Sequence, residues 1–343
     1  MLSDTDKAQF DRDGYLMVPA LVCDRVRESL LKEIDLWVTE SRNHSANYGF
    51  DTPDGKARFD LELGHSAVEP RLRRVANPAD ISQHYQALLF AGIVPEVVSD
   101  LIGPDVFFHH CKLNNKFPGM KARVEYHADH PSDPHTNDDG VTVLLLLDDM
   151  DDGNGCMRVV PGSHQERYTH FRDDKFIGST DPDLFDSFDQ RADSIIGKAG
   201  DVCLMDIWAL HGGGPNLSQD RSRRVLITDY RAADAFALAP PIVPSRFYRK
   251  IVAGKATHVA RLREGTMEIL EHYPDDSFSG CRVNRQRARH NHHDFLYCWR
   301  LPAYRYGRSG DYYLEYQRRQ SLSLGESRSR RSSDTEYHRP CYR

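Results

Sequence analysis

The residues best equipped for chemistry stand together at Tyr126-His127-Ala128-Asp129-His130. On an extended segment, residues i and i+2 point to the same side, so His127 and Asp129 converge on one point. An imidazole and a carboxylate placed that way are two thirds of the facial triad that holds non-haem Fe(II). Spacing alone is weak ground. With 17 His and 37 Asp in 343 residues, about two His-x-Asp matches arise by chance, and the chain has two. The second, His292-His293-Asp294, lies in an Arg-rich stretch without strand character, so only the first is retained.

That first match has company. Eighty-two residues after Asp129, the run from Gly200 to Leu210 leads to His211, which opens His211-Gly212-Gly213-Gly214-Pro215-Asn216. The Gly-rich segment reads as a loop rather than strand, and a His at the strand end beside it is well placed as a third ligand. A strand-like run then starts at Arg223-Arg224 and continues to Tyr230. An arginine at its start is suited to gripping a carboxylate bidentately.

Other conspicuous residues carry less. Asp148-Asp149-Met150-Asp151-Asp152 reads as an acidic loop after a buried strand, without the spacing of a calcium site. Alternation sends the neighbours His109 and His110 to opposite faces, which favours a structural role. Ser163 in Pro161-Gly162-Ser163-His164 lacks the strand-to-helix elbow of a hydrolase nucleophile. Arg158, Arg167 and Arg231 are candidate anion contacts, more simply solvated. The seven cysteines are scattered with no CxxC pair, as expected of buried thiols in a reducing compartment.

Elements must hold these groups in place. Residues 10–19 read as a turn into a short strand, and Asp24–Ser41 has helical spacing with Val26, Leu30, Ile34 and Trp37 on one face. Residues 80–103 predict a second helix, broken or restarted at Pro95. Short apolar or alternating runs follow at 106–117, 122–127, 141–147, 157–160, 201–210 and 224–230, punctuated by Gly, Pro, Asp and Asn. Helices followed by many short strands predict a β-sandwich or barrel with helical support on one face.

Several segments, in order, carry a resemblance. They are Phe10–Pro19, Ile102-Gly103-Pro104, Leu113–Gly119, His127-Ala128-Asp129, Asn154–His164, Gly200-Asp201, His211–Asn216 and Arg223-Arg224. Together, over roughly residues 10–235, they make the chain resemble the phytanoyl-CoA dioxygenase family of Fe(II)/2-oxoglutarate oxygenases. The resemblance implies a mainly β fold with flanking α, a double-stranded β-helix (a cupin-like jelly roll of eight core strands). It implies that His127, Asp129 and His211 hold Fe(II), and that Arg223 binds the distal carboxylate of 2-oxoglutarate. Arg224 remains an alternative, because the family arginine falls one residue nearer the histidine and only one of the pair faces the pocket. Lys112 stands where the family contributes a strand residue to the cosubstrate pocket. The implied reaction consumes O2, releases succinate and CO2, and hydroxylates an unactivated C–H of a small or medium organic molecule. Acyl-CoA esters, amino-acid-like compounds and secondary metabolites are the family's substrate classes. Asp129 favours hydroxylation over halogenation, since Ala or Gly there would leave room for chloride. Gly213 stands where the family often has Ser, and Leu144 where some members carry an aromatic residue. Two other readings remain: a catalytically silent β-helix binding protein, and a metal-dependent cupin-like isomerase.

Composition sets the outer bounds. The chain is 39% hydrophobic and 28% charged with a formal net charge of −6, enough for one large domain or two modest ones. Residues 281–343 hold fourteen Arg, no Lys and six acidic residues, against 31 basic and 45 acidic in the remainder. We therefore expect a dioxygenase domain over 1–280 and a disordered Arg/Ser/Tyr-rich tail over 281–343. Nucleic-acid binding is disfavoured and would fall to that tail alone. No apolar stretch is expected to reach the ~20 residues of a membrane span, and the N-terminus lacks a secretory pattern. The expectation is a cytoplasmic monomer or homodimer acting on a small molecule, with no membrane partner.

Overall fold

The computed structural model describes residues 1–263. The expected tail at 281–343 and the end of the expected 1–280 domain lie outside the described residues.

Helix α1 (Asp4–Asp13) forms ahead of the first strand, where the sequence suggested only a turn. Ser3 caps it reciprocally with Asp6, and Gly14 ends it at φ 75°. A Cβ on Gly14 would lie 2.4 Å from His164 Nδ1, so glycine is needed there for both conformation and space. Strand β1 (Tyr15–Val18) follows, then α2 (Asp24–Ser41), with the bounds its spacing predicts. The hairpin β2 (Phe59–Leu61) and β3 (Leu72–Ala76) is an addition the sequence did not announce.

Helices α3 (Gln83–Phe90) and α4 (Ile93–Ile102) break at Ala91-Gly92 rather than at Pro95. Pro95 sits in the first turn of α4, where its missing N–H would have had no helical partner anyway. By length and composition the stretch Gln83–Ile102 is apolar enough to cross a membrane, contrary to the sequence expectation. Here its side chains Leu88, Leu89, Val94, Val97 and Val98 are buried in one core with residues of the sheet.

The remaining strands are β4 (Val106–Lys116), β5 (Val124–His127), β6 (Gly140–Leu146) and β7 (Met157–Val159). A small hairpin, β8 (Phe171–Arg172) with β9 (Lys175–Phe176), precedes α5 (Phe185–Arg191). Then come β10 (Asp193–Ser194), β11 (Val202–Asp206), β12 (His211–Gly213), β13 (Arg223–Ala232) and β14 (Lys250–Ala253). They form a major sheet in the order β1-β11-β6-β13-β4-β3-β2, with β14 also paired to β4, and a minor sheet β10-β7-β12-β5. This is the jelly roll expected from the sequence.

Alternation divides the major sheet between two cores. On β6, Val141, Val143 and Leu145 join the helices, whereas Leu144 and Leu146 join Met157, Val159, Cys203, Met205 and Ile227 in the space between the sheets. Because both faces of β6 are covered, all seven of its residues are buried. Leu226 on β13 is 1% exposed and belongs to the helix-side core. Leu226→Ala is expected to lower stability by about 2–5 kcal/mol in urea denaturation, with the inner face left intact.

Candidate active site

The inner space closes around His127, Asp129 and His211. His127 ends β5 and His211 begins β12, and the antiparallel register places the two opposite each other, ring centroids 4.3 Å apart. The segment from His211 is thus strand, not the free loop that its glycines suggested. Asp129 arrives differently from the expected strand alternation. It has left β5 for a helical conformation (φ −77°, ψ −37°) at the head of a short 3-10 turn, His130–Ser132. The backbone N–H groups of Asp129 and His130 both donate to the Ile207 carbonyl at 3.0 Å, which pins that turn.

The three ligand-capable atoms lie within 4.8 Å of one another. Asp129 Oδ1 is 3.8 Å from His127 Nε2 and 4.0 Å from His211 Nε2. Each ring is set by its other nitrogen. His127 Nδ1 lies 2.8 Å from the Glu125 carbonyl and His211 Nδ1 3.0 Å from the Ala209 carbonyl, which makes both Nδ1 atoms donors and leaves the Nε2 lone pairs turned to the centre. Thr142 Oγ1 donates to Asp129 Oδ2 at 2.7 Å, leaving Oδ1 on the side of the histidines. Burial drives the His127 imidazole well below its usual pKa, with His211 adding to it. For Asp129, burial acts to raise the pKa, but His211, Lys112, His127 and the Thr142 hydroxyl outweigh it and hold the carboxyl ionised. Two imidazole nitrogens and one carboxylate form a donor set that suits Fe(II).

The triad borders a cavity of about 300 Å³, also lined by Lys112, Lys116, Leu144, Arg223 and Ile227. Thr52, Asp54, Lys56 and Ala57, with residues 242–244, also line it. Along β4 and β13 the register pairs Lys112 with Ile227 and Lys116 with Arg223. Arg223 is buried, its Nε makes no hydrogen bond, and burial brings the guanidinium down to about 10. Arg224 points elsewhere. Its Nε and Nη2 grip Asp148 at 2.9 and 2.6 Å, as expected of the opposite face of the strand. Lys116 was not anticipated, although it shares the face of Lys112 four residues on. Burial, reinforced by the Arg223 charge, pushes its amine down to about 7.

A family model described as phytanoyl-CoA dioxygenase (PhyH) matches residues 10–225. The chain belongs to this family. It is a dioxygenase. Relatives include a probable alpha-ketoglutarate-dependent hypophosphite dioxygenase of Stutzerimonas stutzeri, 28% identical across 84% of this chain and 99% of that protein. A 2-aminoethylphosphonate dioxygenase of Uncultured bacterium HF130_AEPn_1 is 26% identical across 65% and 79%. The crystal structure of EctD from S. alaskensis with bound Fe shares the fold, with TM-score 0.60 and 19% identity over 75% of this chain and 88% of that one.

Other family segments hold the site together. Ser163 Oγ donates to the Val160 carbonyl at 2.6 Å and accepts from Leu210 N at 2.8 Å, next to His211, so it is a brace and not a nucleophile. Asn216 Nδ2 donates to the carbonyls of Lys116 and Arg221, tying the loop after β12 to β4. A side chain on Gly213 would stand 3.9 Å from Lys116 Nζ and 3.9 Å from the Cys156 carbonyl oxygen. Arg158 and Arg167 are engaged by Asp189 and Asp138, outside the cavity, and Arg231 is buried beside Asp229. The acidic loop is spoken for as well, with Asp148 on Arg224, Asp149 on Lys198 and Asp151 on Arg221. Since Thr142 alone orients Asp129 Oδ2 by a side-chain bond among the described residues, Thr142→Val is expected to weaken divalent-ion binding about 10- to 100-fold. Calorimetric Co(II) titration under anaerobic conditions measures it.

Proposed function

We propose that His127, Asp129 and His211 bind Fe(II) and that 2-oxoglutarate lies along β4 and β13, its distal carboxylate between Arg223 and Lys116. The observation that carries this reading is a buried two-His, one-carboxylate set at one end of a cavity whose other end holds a buried guanidinium with an unbonded Nε. Iron with 2-oxoglutarate and O2 supplies the oxidising chemistry, releasing succinate and CO2. The chain's own part is geometric and electrostatic. Thr142 holds the carboxylate, the Glu125 and Ala209 carbonyls hold the rings, and Ile227, Leu144 and Met205 wall the site with apolar surface. Lys112 lies on the same face of β4 four residues before Lys116, about 13 Å along the strand, and would face the keto-acid end of the cosubstrate.

Size narrows the substrate. A cavity of about 300 Å³ must hold both cosubstrate and substrate, which suits a compact polar molecule and leaves little for an acyl-CoA. Three relatives are named for small phosphorus oxyacids: hypophosphite, 2-aminoethylphosphonate and methylphosphonate. Lys56 and Arg123 also line the cavity, within 3.8 Å of Asp54 and 3.9 Å of Asp189 respectively, and their charge suits an incoming anion. We therefore favour hydroxylation of a C–H or P–H bond in a small phosphorus oxyacid. Succinate release with these three acids and with ectoine tests it. Turnover should follow one of the phosphorus compounds, and turnover with ectoine alone would overturn the substrate assignment.

The cation pair makes a separate prediction. Arg223→Met should raise the 2-oxoglutarate requirement about 10- to 100-fold, while Arg224→Met should leave it unchanged. Lys116 is charged below about pH 7, and a bound dianion favours that charged form. Cosubstrate affinity should therefore be greatest below pH 7 and fall by up to about tenfold per unit as pH rises above it. Lys116→Arg, which keeps its charge, should flatten that profile in equilibrium binding.

A further inference from the structure

A second cluster of ligand-type side chains lies apart from the cavity, in the wall behind the triad. His109 and His110 are adjacent on β4, and simple alternation would part them. The pairing shows why it does not. Asp229 lies opposite His110 and Tyr230 opposite Phe108, so His109 has no partner on β13 and forms a bulge. The bulge brings both rings to one side, with Nδ1 to Nδ1 2.8 Å and ring centroids 5.1 Å apart. Asp133, from the turn that follows Asp129, approaches so that its Oδ2 is 3.1 Å from His109 Nε2.

The three side chains are at most 2% exposed, and one ligand-capable atom from each lies within 4.8 Å of the others. The Nδ1 atoms of the two rings hydrogen-bond each other, but among the described residues neither Asp133 oxygen, nor Nε2 of His109 or His110, has a hydrogen-bond partner, despite the short His109–Asp133 approach. That approach is close but not directed as an N–H bond, which is how ligands look when they converge on a shared point. A dry carboxylate and two dry imidazole Nε2 atoms without partners are costly to bury, and native interiors rarely leave such groups unmet.

We propose that His109, His110 and Asp133 form a second site, structural in purpose, for a first-row divalent cation. Two imidazole nitrogens and one carboxylate oxygen match the ligand preferences of such ions. Asp229 lies 3.7 Å from both His110 Nδ1 and Arg231 Nη2, and burial lifts the Asp133 carboxyl to about 8, so a cation bound here would displace its proton. A cation here fastens the turn bearing Asp133 to β4. Since Asp129 opens that same turn, the ion would stiffen the support of the triad carboxylate without touching substrate.

Anaerobic Co(II) titration, followed by visible absorption and bound-metal stoichiometry, tests the proposal. The full chain is used with His290, His292 and His293 changed to Ala, because that His-rich stretch could bind Co(II) by itself. Two equivalents are expected in this background. One should survive His127→Ala with His211→Ala, showing histidine coordination in X-ray absorption, and Asp133→Asn should then abolish it. A single equivalent that vanishes with the triad histidines would overturn the second site while leaving the triad reading intact. So would a surviving equivalent without histidine coordination, or one indifferent to Asp133→Asn. Should Asp133→Asn fail to fold, the stoichiometry and coordination of the triad variant decide the matter alone.

Discussion

Everything in this fold answers to one difficulty, which is to bury two imidazoles and a carboxylate side by side without letting them find other partners. The register of β12 against β5 solves half of it, because opposed positions in an antiparallel pair are the shortest rigid link between two distant parts of the chain. The other half falls to the turn after β5. A carboxylate two residues along a straight strand would have faced inward too, but with nothing to stop it swinging. By turning at Asp129 and bonding two successive N–H groups to the Ile207 carbonyl, the chain fixes the backbone. Thr142, from the opposite sheet, then fixes the side chain. The centre is thus held from both sheets at once, and neither sheet alone would be sufficient.

The same arrangement accounts for the polarity of the interior. Inward positions of β4 and β13 alternate with residues that face the helices, so an inner column of Lys112, Lys116, Arg223 and Ile227 runs back to back with Leu113, Leu226 and Tyr230. A charged column is tolerable in that position because the apolar drive is satisfied on the other face, where α3 and α4 bury their valines and leucines. The paired arginines show the division most plainly. Arg223 and Arg224 differ by one residue, yet one is enclosed in the cavity wall and the other is neutralised by Asp148 on the far side.

How much of this was legible in the sequence follows from which rule governed each part. Helix α2 was readable because a single period ran undisturbed through it. The triad was readable because its residues stand in segments whose order resembles a known family. What escaped depended on places where the period is interrupted. The bulge at His109 cannot be seen in the letters, since it needs the partner strand to define it, and so two histidines expected on opposite faces are neighbours. His211–Gly213 looked like a loop for its glycines, yet pairing on both sides makes it a strand. The short hairpin β2–β3 carries no strong alternation and was missed altogether. Lys116 was overlooked for a different reason. Nothing in its own vicinity marks it, and only pairing with Arg223 gives it meaning.

That last residue shows what a long-range register adds to a local motif. Family segments point to the triad, but they say little about the far end of the cavity, where Lys116 stands on another strand beside Arg223. Because Lys116 is buried beside a second cation, its charge is unfavourable until an anion arrives, and the Arg223 guanidinium is in the same condition. Two cations held together against their mutual repulsion gain from any dianion that separates them. The β-sheet can impose this because the cost of holding them is spread over the paired strands, each of which is anchored by an apolar face. The buried cations and the triad line one cavity, so on the proposed reading a bound keto-diacid would reach from one to the other. On the proposed reading, recognition of a keto-diacid rests on the register that sets Arg223 beside Lys116 as well as on those two side chains.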